Sequence, residues 1–233
     1  MEDLVARTVT LANLRLQVRQ RADMVNSTFV TDAEFNQYIN NSATALYDLL
    51  IQKFGNEYYL STASISTTSS VDSYNLPTDF YKLIGVDMLI SGLDYVSLRP
   101  FMFSERNMNN ANVSRTIYGI PDVRYRLVGS QIRLSPVPNA ANTLRLWYIP
   151  NLPEMSSDSS TTDGVNGWEE FIVVDAAIKA LQKEESDVSV LIAQKQGLIK
   201  RIEEAAENRD AGSGDRVSDV RRSYYDYAAM WVT

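Results

Sequence analysis

The sequence predicts an α+β fold: a four-helix bundle core, an antiparallel β subdomain inserted into it, and an extended C-terminal arm. Three observations predict it. Apolar residues recur at helical spacing in two separate stretches, near residues 10–54 and 166–210. The stretch between them changes to short runs of Tyr, Thr, Ser, Val and Ile broken by Pro and Gly, which is the pattern of strands and turns. The last residues follow a helix stop yet are rich in Tyr and Trp, side chains that need a surface to dock on. Each helix has an apolar face that needs cover, so two helices before the β stretch and two after it assemble most economically as one bundle. The division is 1–55 for the N-terminal helices, 56–162 for the β subdomain, 163–212 for the C-terminal helices and 213–233 for the arm.

From Thr10 to Met24, Leu11, Leu14, Val18 and Ala22 follow helical spacing, with Arg15, Arg19 and Arg21 among the other positions, read as an exposed charged face, with contact to an acidic partner or nucleic acid as the other reading. The second helix has a clearer start. Thr31 and Glu34 stand as a capping box, and Val30 and Phe35 occupy the two positions of a hydrophobic staple. It runs to Phe54 with Phe35, Tyr38, Ile39, Ala43, Leu46, Leu49 and Leu50 on one face, and Gly55 follows where a left-handed C-terminal residue is wanted.

In the β region, Val123, Tyr125 and Leu127 alternate with Arg124 and Arg126, Gly129-Ser130 offers a two-residue turn, and Ile132 and Leu134 alternate again. A strand over 143–149 would complete a meander, and earlier strands are expected at 58–66 and 82–90. The Asn-rich 107–114 and the Ser/Asp/Thr cluster 156–164 read as surface loops. Asn166 with Glu169 then starts a helix carrying Trp168, Phe171, Ile172, Val174, Asp175, Ile178 and Leu181 to about Glu185. Asp187 can cap the last helix, Val188 to about Asp210, with Leu191, Ile192, Lys195, Leu198, Ile202, Ala205 and Ala206 on one side and Gly212 and Gly214 as its stop.

Among the 233 residues there is neither Cys nor His. Their absence excludes a disulfide framework, a Cys nucleophile, imidazole or thiolate zinc sites and any Ser-His-Asp mechanism. The net charge of −7 argues against tight, non-specific binding to phosphate backbones. That charge is localised: −2 in residues 1–60, zero in 61–162, −5 in 163–210 and zero in 211–233. No run approaches the ~20 apolar residues of a membrane span, and MEDLVARTVT lacks a basic, then apolar, leader, so synthesis in a cytoplasm is expected.

Catalytic patterns are few. Glu169-Glu170, Asp175, Glu184-Glu185 and Glu203-Glu204 could supply paired carboxylates for a glycosidase, but neighbouring acids on a helix point in different directions and read as a solvated face. There is no Walker loop, no GxGxxG and no EF-hand, and the DSSTTDG stretch lacks the alternating acids of a calcium loop. Trp147-Tyr148 reads as strand packing rather than a base-stacking platform. The arm places Tyr224, Tyr225, Tyr227, Met230 and Trp231 after a helix stop, which suits docking on another chain, with folding back on its own core as the other reading.

The strings VRQRADM (18–24), FVTDAEFNQYINNSATALYDLL (29–50), LPTDFYKLIGVD (76–87), LRPFMFSERN (98–107), YRLVGSQIRLSPVP (125–138) and GWEEFIVVDAAIKALQKEESDV (167–188), in that order, resemble the head-to-tail adaptor (connector) proteins of short-tailed bacteriophages. The resemblance implies a structural virion protein with no cofactor and no enzymatic activity. It implies a homo-oligomeric ring, usually of twelve copies, between the portal protein and the tail nozzle protein, through which double-stranded DNA passes, at the head-tail interface and away from any membrane. Its helices would form the ring wall and its arm would reach the portal, making Arg221, Arg222, Tyr224, Tyr225, Tyr227, Met230 and Trp231 the portal contacts. Glu184, Glu185, Glu203, Glu204 and Glu207 would then face the channel, where an acidic wall repels DNA phosphates. Two rival classes stand beside it: a virion-associated cell-wall hydrolase, and a receptor- or carbohydrate-binding module using Tyr95, Tyr118, Trp147 and Tyr148 as platforms.

Overall fold

The computed structural model describes residues 8–106, 116–117, 120–163 and 167–207. In chain order the first half holds β1 (Thr8–Thr10), α1 (Leu11–Arg21), α2 (Asp32–Phe54), β2 (Ser61–Ser66), β3 (Ser73–Asn75), β4 (Phe80–Ser91), β5 (Asp94–Ser97) and β6 (Arg99–Pro100). The second half holds β7 (Thr116–Ile117), β8 (Ile120–Pro121), β9 (Arg124–Val128), β10 (Gln131–Ser135), β11 (Thr143–Pro150), β12 (Thr161–Asp163), α3 (Glu169–Lys183) and α4 (Ser189–Glu207). Among the described residues the fold is mixed α and β, with four α-helices and sheets that are antiparallel except for the β6–β9 pair.

The start of α2 follows its sequence signal. The Glu34 amide donates to Thr31 Oγ1 at 3.3 Å, and Glu34 Oε2 accepts from the Thr31 amide at 2.9 Å. Two of the amides that a helix start leaves unpaired are thereby satisfied. Val30 and Phe35 are both fully buried, so the staple holds as well. The other end differs from expectation. Gly55 has φ 85° and ψ 170°, a region open essentially to glycine, so the chain leaves the helix extended rather than through a left-handed cap. Asp187 does cap the last helix, accepting from the Ser189 amide at 2.9 Å. Asn166 lies outside the described residues, as do 107–114.

Helix α3 is buried nearly all round, from Trp168 to Ala180, because it packs against α1, α2 and α4. Apolar residues fill most of its positions and Asp175 is held by ion pairs, so it forms the centre of the main core with Phe35, Ile39, Leu46 and Leu50 of α2, Leu14 and Val18 of α1, and Ile202 of α4. The outer helix α4 buries only Ile202 completely, and Ile192 of its expected apolar face is 40% exposed.

The β region holds two four-stranded sheets, β3-β10-β9-β6 and β2-β11-β4-β5. Their inner faces share one core built from Ile132 and Leu134 on one sheet and Val86, Met88, Leu144, Leu146 and Tyr148 on the other. The β9–β10 hairpin turns at Gly129-Ser130 as expected, with Val128 opposite Gln131. The expected meander does not form. After Ser135 come Pro136 and Pro138, which lack ladder donors, and the chain crosses to the second sheet, where β11 lies between β2 and β4. The 156–164 segment also departs from a plain surface loop: Thr161–Asp163 pairs with Thr8–Thr10, and the carbonyls of Ser160 and Asp158 accept from the Leu11 and Ala12 amides at 2.8 and 3.2 Å.

A small third cluster joins the two regions. Tyr47 and Ile51 of α2 meet Ile149 of β11, and the Tyr47 hydroxyl donates to the Pro150 carbonyl at 2.7 Å. Burial pushes that phenol up to about 12.

Candidate functional site

Arginines that read as an exposed face of α1 turn out to be inter-element clamps. Arg19 donates to the Met24 and Ser27 carbonyls at 2.9 and 3.0 Å and to Asp32 at 2.7 Å, and its guanidinium lies 4.5 Å from the Phe35 ring centre. Arg15 donates to Asn36 at 3.0 Å and pairs with Asp158 at 2.9 Å. The hydrogen bond from Arg19, helped by the charge of Arg15, holds Asp32 below its ordinary value. Arg21 pairs with Glu170 across α1 and α3.

Similar pairs tie the remaining helices. Lys183 donates to Glu34 at 2.6 Å, and that bond, with those from the Thr31 amide and hydroxyl, lowers Glu34 to about 2. Lys53 reaches Glu203 at 2.8 Å. The most enclosed carboxylate is Asp175, which accepts from Lys179 at 2.6 Å and Lys195 at 2.7 Å, while Lys179 also donates to Ser42 at 2.8 Å. Burial alone would raise Asp175, but its hydrogen bonds from Lys179, Lys195 and Ser42 outweigh that and hold it below the usual carboxylate value. A glycosidase acid needs the opposite shift. Of the carboxylates weighed for paired acid chemistry, Glu170, Asp175 and Glu203 each serve an ion pair between helices.

The acids proposed for a channel wall are spread over two places. Glu184 and Glu185 are exposed at the end of α3. On α4, Glu207 is exposed, Glu204 lies 3.8 Å from Lys200, and Glu203 is engaged with Lys53. Arg21 and Lys53, from the first two helices, therefore offset part of the negative charge that segment counting assigns to the last two. Arg221, Arg222, Tyr224, Tyr225, Tyr227, Met230 and Trp231 lie outside the described residues.

The aromatic platform expected on the β region divides in two. Tyr148 is buried, with its hydroxyl donating to Asp79 at 3.1 Å, so it offers no exposed ring. Trp147 and Tyr95 lie on the opposite, outer face of the sheet. There the Arg145 guanidinium sits 3.7 Å from the Tyr95 ring centre and 5.9 Å from that of Trp147, and the indole N–H donates to Asp87 at 2.5 Å. Tyr118 lies outside the described residues. Sequence reading missed the outer edge of β2: its run STASIS alternates exposed Thr62, Ser64 and Ser66 with half-buried Ala63 and Ile65 and carries no charge. It also missed Leu93, 91% exposed at the β4–β5 turn. Among the described residues no helix is long and apolar enough to cross a membrane.

A family model described as SU10 adaptor protein matches residues 9–222, which takes in both the helical core and the β region. No curated protein matches the chain.

Proposed function

The chain belongs to the SU10 adaptor protein family, and from that premise we propose that this structural phage virion protein is the ring-forming head-to-tail adaptor that joins the portal to the tail nozzle and forms part of the DNA channel. The observation that carries the reading is the family match over residues 9–222. In this reading the four helices act as a bundle and build the wall of a homo-oligomeric ring, probed first as a dodecamer. Residues 1–55 and 163–212 make the wall, 56–162 project from it, and 213–233 reach the portal through Arg221, Arg222, Tyr224, Tyr225, Tyr227, Met230 and Trp231. The ion pairs between helices suit this role, because they tie the helices of one protomer to each other. Glu184, Glu185, Glu204 and Glu207 line the DNA path, and Glu203 adds to the field from its pair with Lys53.

The test is the mass of the purified chain by light scattering, alone and after mixing with portal rings. Stoichiometric joining to the portal is expected, and truncation before Ser213 should weaken it while the helical signal in circular dichroism persists. Indifference of the full chain to portal rings would overturn the reading. Equal binding by the truncated chain would remove the arm from it.

A further inference from the structure

Sheet edges are templates for pairing, and the β3-β10-β9-β6 sheet is short or guarded at both of its edges. β6 is two residues long and contains Arg99 and Pro100, and β3 has three residues; in the other sheet the edge strand β5 has four residues, of which Asp94 at its start carries a charge. β2 has six residues with no charge, no Pro and no bulge.

The directions of the free backbone groups follow from the ladder. The Thr67 amide donates to the Asn142 carbonyl at 2.8 Å, continuing the β2–β11 ladder, so alternate residues Ile65 and Ala63 also face β11, and Thr62, Ser64 and Ser66 direct their N–H and C=O groups outward. At the other edge, the Leu98 amide donates to Val86 at 2.8 Å, so Val96 faces β4 while Tyr95 and Ser97 point outward. At both edges the residues with outward backbone groups carry their side chains on the outer face of the sheet.

We propose that β5 of one protomer pairs with β2 of its neighbour, so that the sheet runs on from copy to copy around the ring. The inference rests on the ring reading above and names the surfaces that form it. A second copy of this chain fits for three reasons. The four strands of the sheet are successively antiparallel, so β5 of an added copy meets β2 antiparallel without inverting the sheet. The side-chain faces match, because outward residues on both edges share the outer face and the inner faces stay continuous. With Ser97 opposite Ser64 and Tyr95 opposite Ser66, Leu93 of the added copy arrives beyond Ser66. There Ser66, Leu89, Ile90, Asn142 and Thr143 line an open cleft of about 320 Å³, which can receive the exposed leucine. The two surfaces differ, as a closed ring of head-to-tail contacts requires.

The chain contains no Cys, so introduced pairs crosslink without background. Ser64→Cys and Ser97→Cys chains, mixed and oxidised at ring mass, should give a disulfide-linked dimer, and the double variant a ladder of multimers on a non-reducing gel. Ser64→Pro removes an N–H that points away from β11, so the protomer should fold as before while the concentration for half-assembly rises at least tenfold. Ala63→Pro removes an inward N–H and should damage the sheet itself. Crosslinking of Ser64→Cys to itself would mean a symmetric β2–β2 contact and overturn the proposal. Rings with no crosslink from Ser97→Cys to either Ser64→Cys or Thr62→Cys would also overturn it, as would folded Ser64→Pro assembling at the original concentration. A chain that stays at monomer mass alone and with portal protein would overturn the ring reading first, and this inference with it.

Discussion

In the helical region the central helix α3 is enclosed by three others, and its Asp175 is held by lysines from its own helix and from α4. In the β region one four-stranded sheet ends on both sides in a strand with no further neighbour among the described residues, and Leu93 stands 91% exposed beside one of them. Both regions have apolar cores of similar character, built from Phe35, Ile39 and Ile172 in one and Ile132, Leu144 and Leu146 in the other. They differ in what happens at the boundary. Helices satisfy their backbone internally and close on themselves through side chains, whereas a sheet satisfies its backbone only by adding strands. One region thus closes on itself, while the other keeps backbone edges at which strands could be added among the described residues.

The comparison can be broken most directly at the cores. Phe35→Ala should cost about 3–5 kcal/mol and Ile132→Ala about 2–5 kcal/mol, read by urea denaturation followed by helical circular dichroism and by Trp fluorescence. Because Tyr47 and Ile51 join α2 to Ile149, both probes should report a single transition. Two separated transitions would mean that the regions fold independently. Next in size is Asp175→Ala, which strands Lys179 and Lys195; since both lysines are about a third exposed, we expect about 2–3 kcal/mol rather than the full cost of a buried pair.

Acid sharpens the same contrast. Glu34, Asp32 and Asp175 all have folded values lowered relative to the unfolded chain. Each therefore stabilises the fold fully above its unfolded value and loses that contribution as pH falls toward its folded one. For Glu34 the window runs from 4.5 down to about 2. Helical signal should weaken through it, and the Glu34→Gln, Asp175→Asn double variant should show a flatter dependence. The smallest effect expected is that of Thr31→Ala, about 1 kcal/mol from loss of the cap, and unchanged stability there would remove the capping box as the anchor of α2.

What was legible in the sequence was local. Thr31 and Glu34 lie three residues apart and announce the start of α2, and Gly129-Ser130 announces its hairpin, because the partners are neighbours in the chain. Partner choice across long separations left no such mark. β11 has the composition of a meander strand, yet Pro136 and Pro138 divert it to another sheet. Arg15 looks solvated on a helical wheel, while its partner Asp158 sits in a stretch whose Ser and Thr content reads as loop. The three-residue pairing of Thr161–Asp163 with Thr8–Thr10 is too short for any periodicity to show. Charge counted by segment placed the acidity on the last helices, but Arg21 and Lys53 come from the first two and meet it there.

The enclosure of α3 also sets an order in time. α1 and α2 are synthesised first, but the helix that covers Phe35, Ile39 and Leu50 follows the whole β region, and the carbonyls of Asp158 and Ser160 that satisfy the first amides of α1 come only just before it. At bacterial rates of translation that delay is on the order of ten seconds. Throughout it the apolar stripe of α2 has no α3 to pack against. The helical half of the molecule is thus completed only after the strands of the β region have been made.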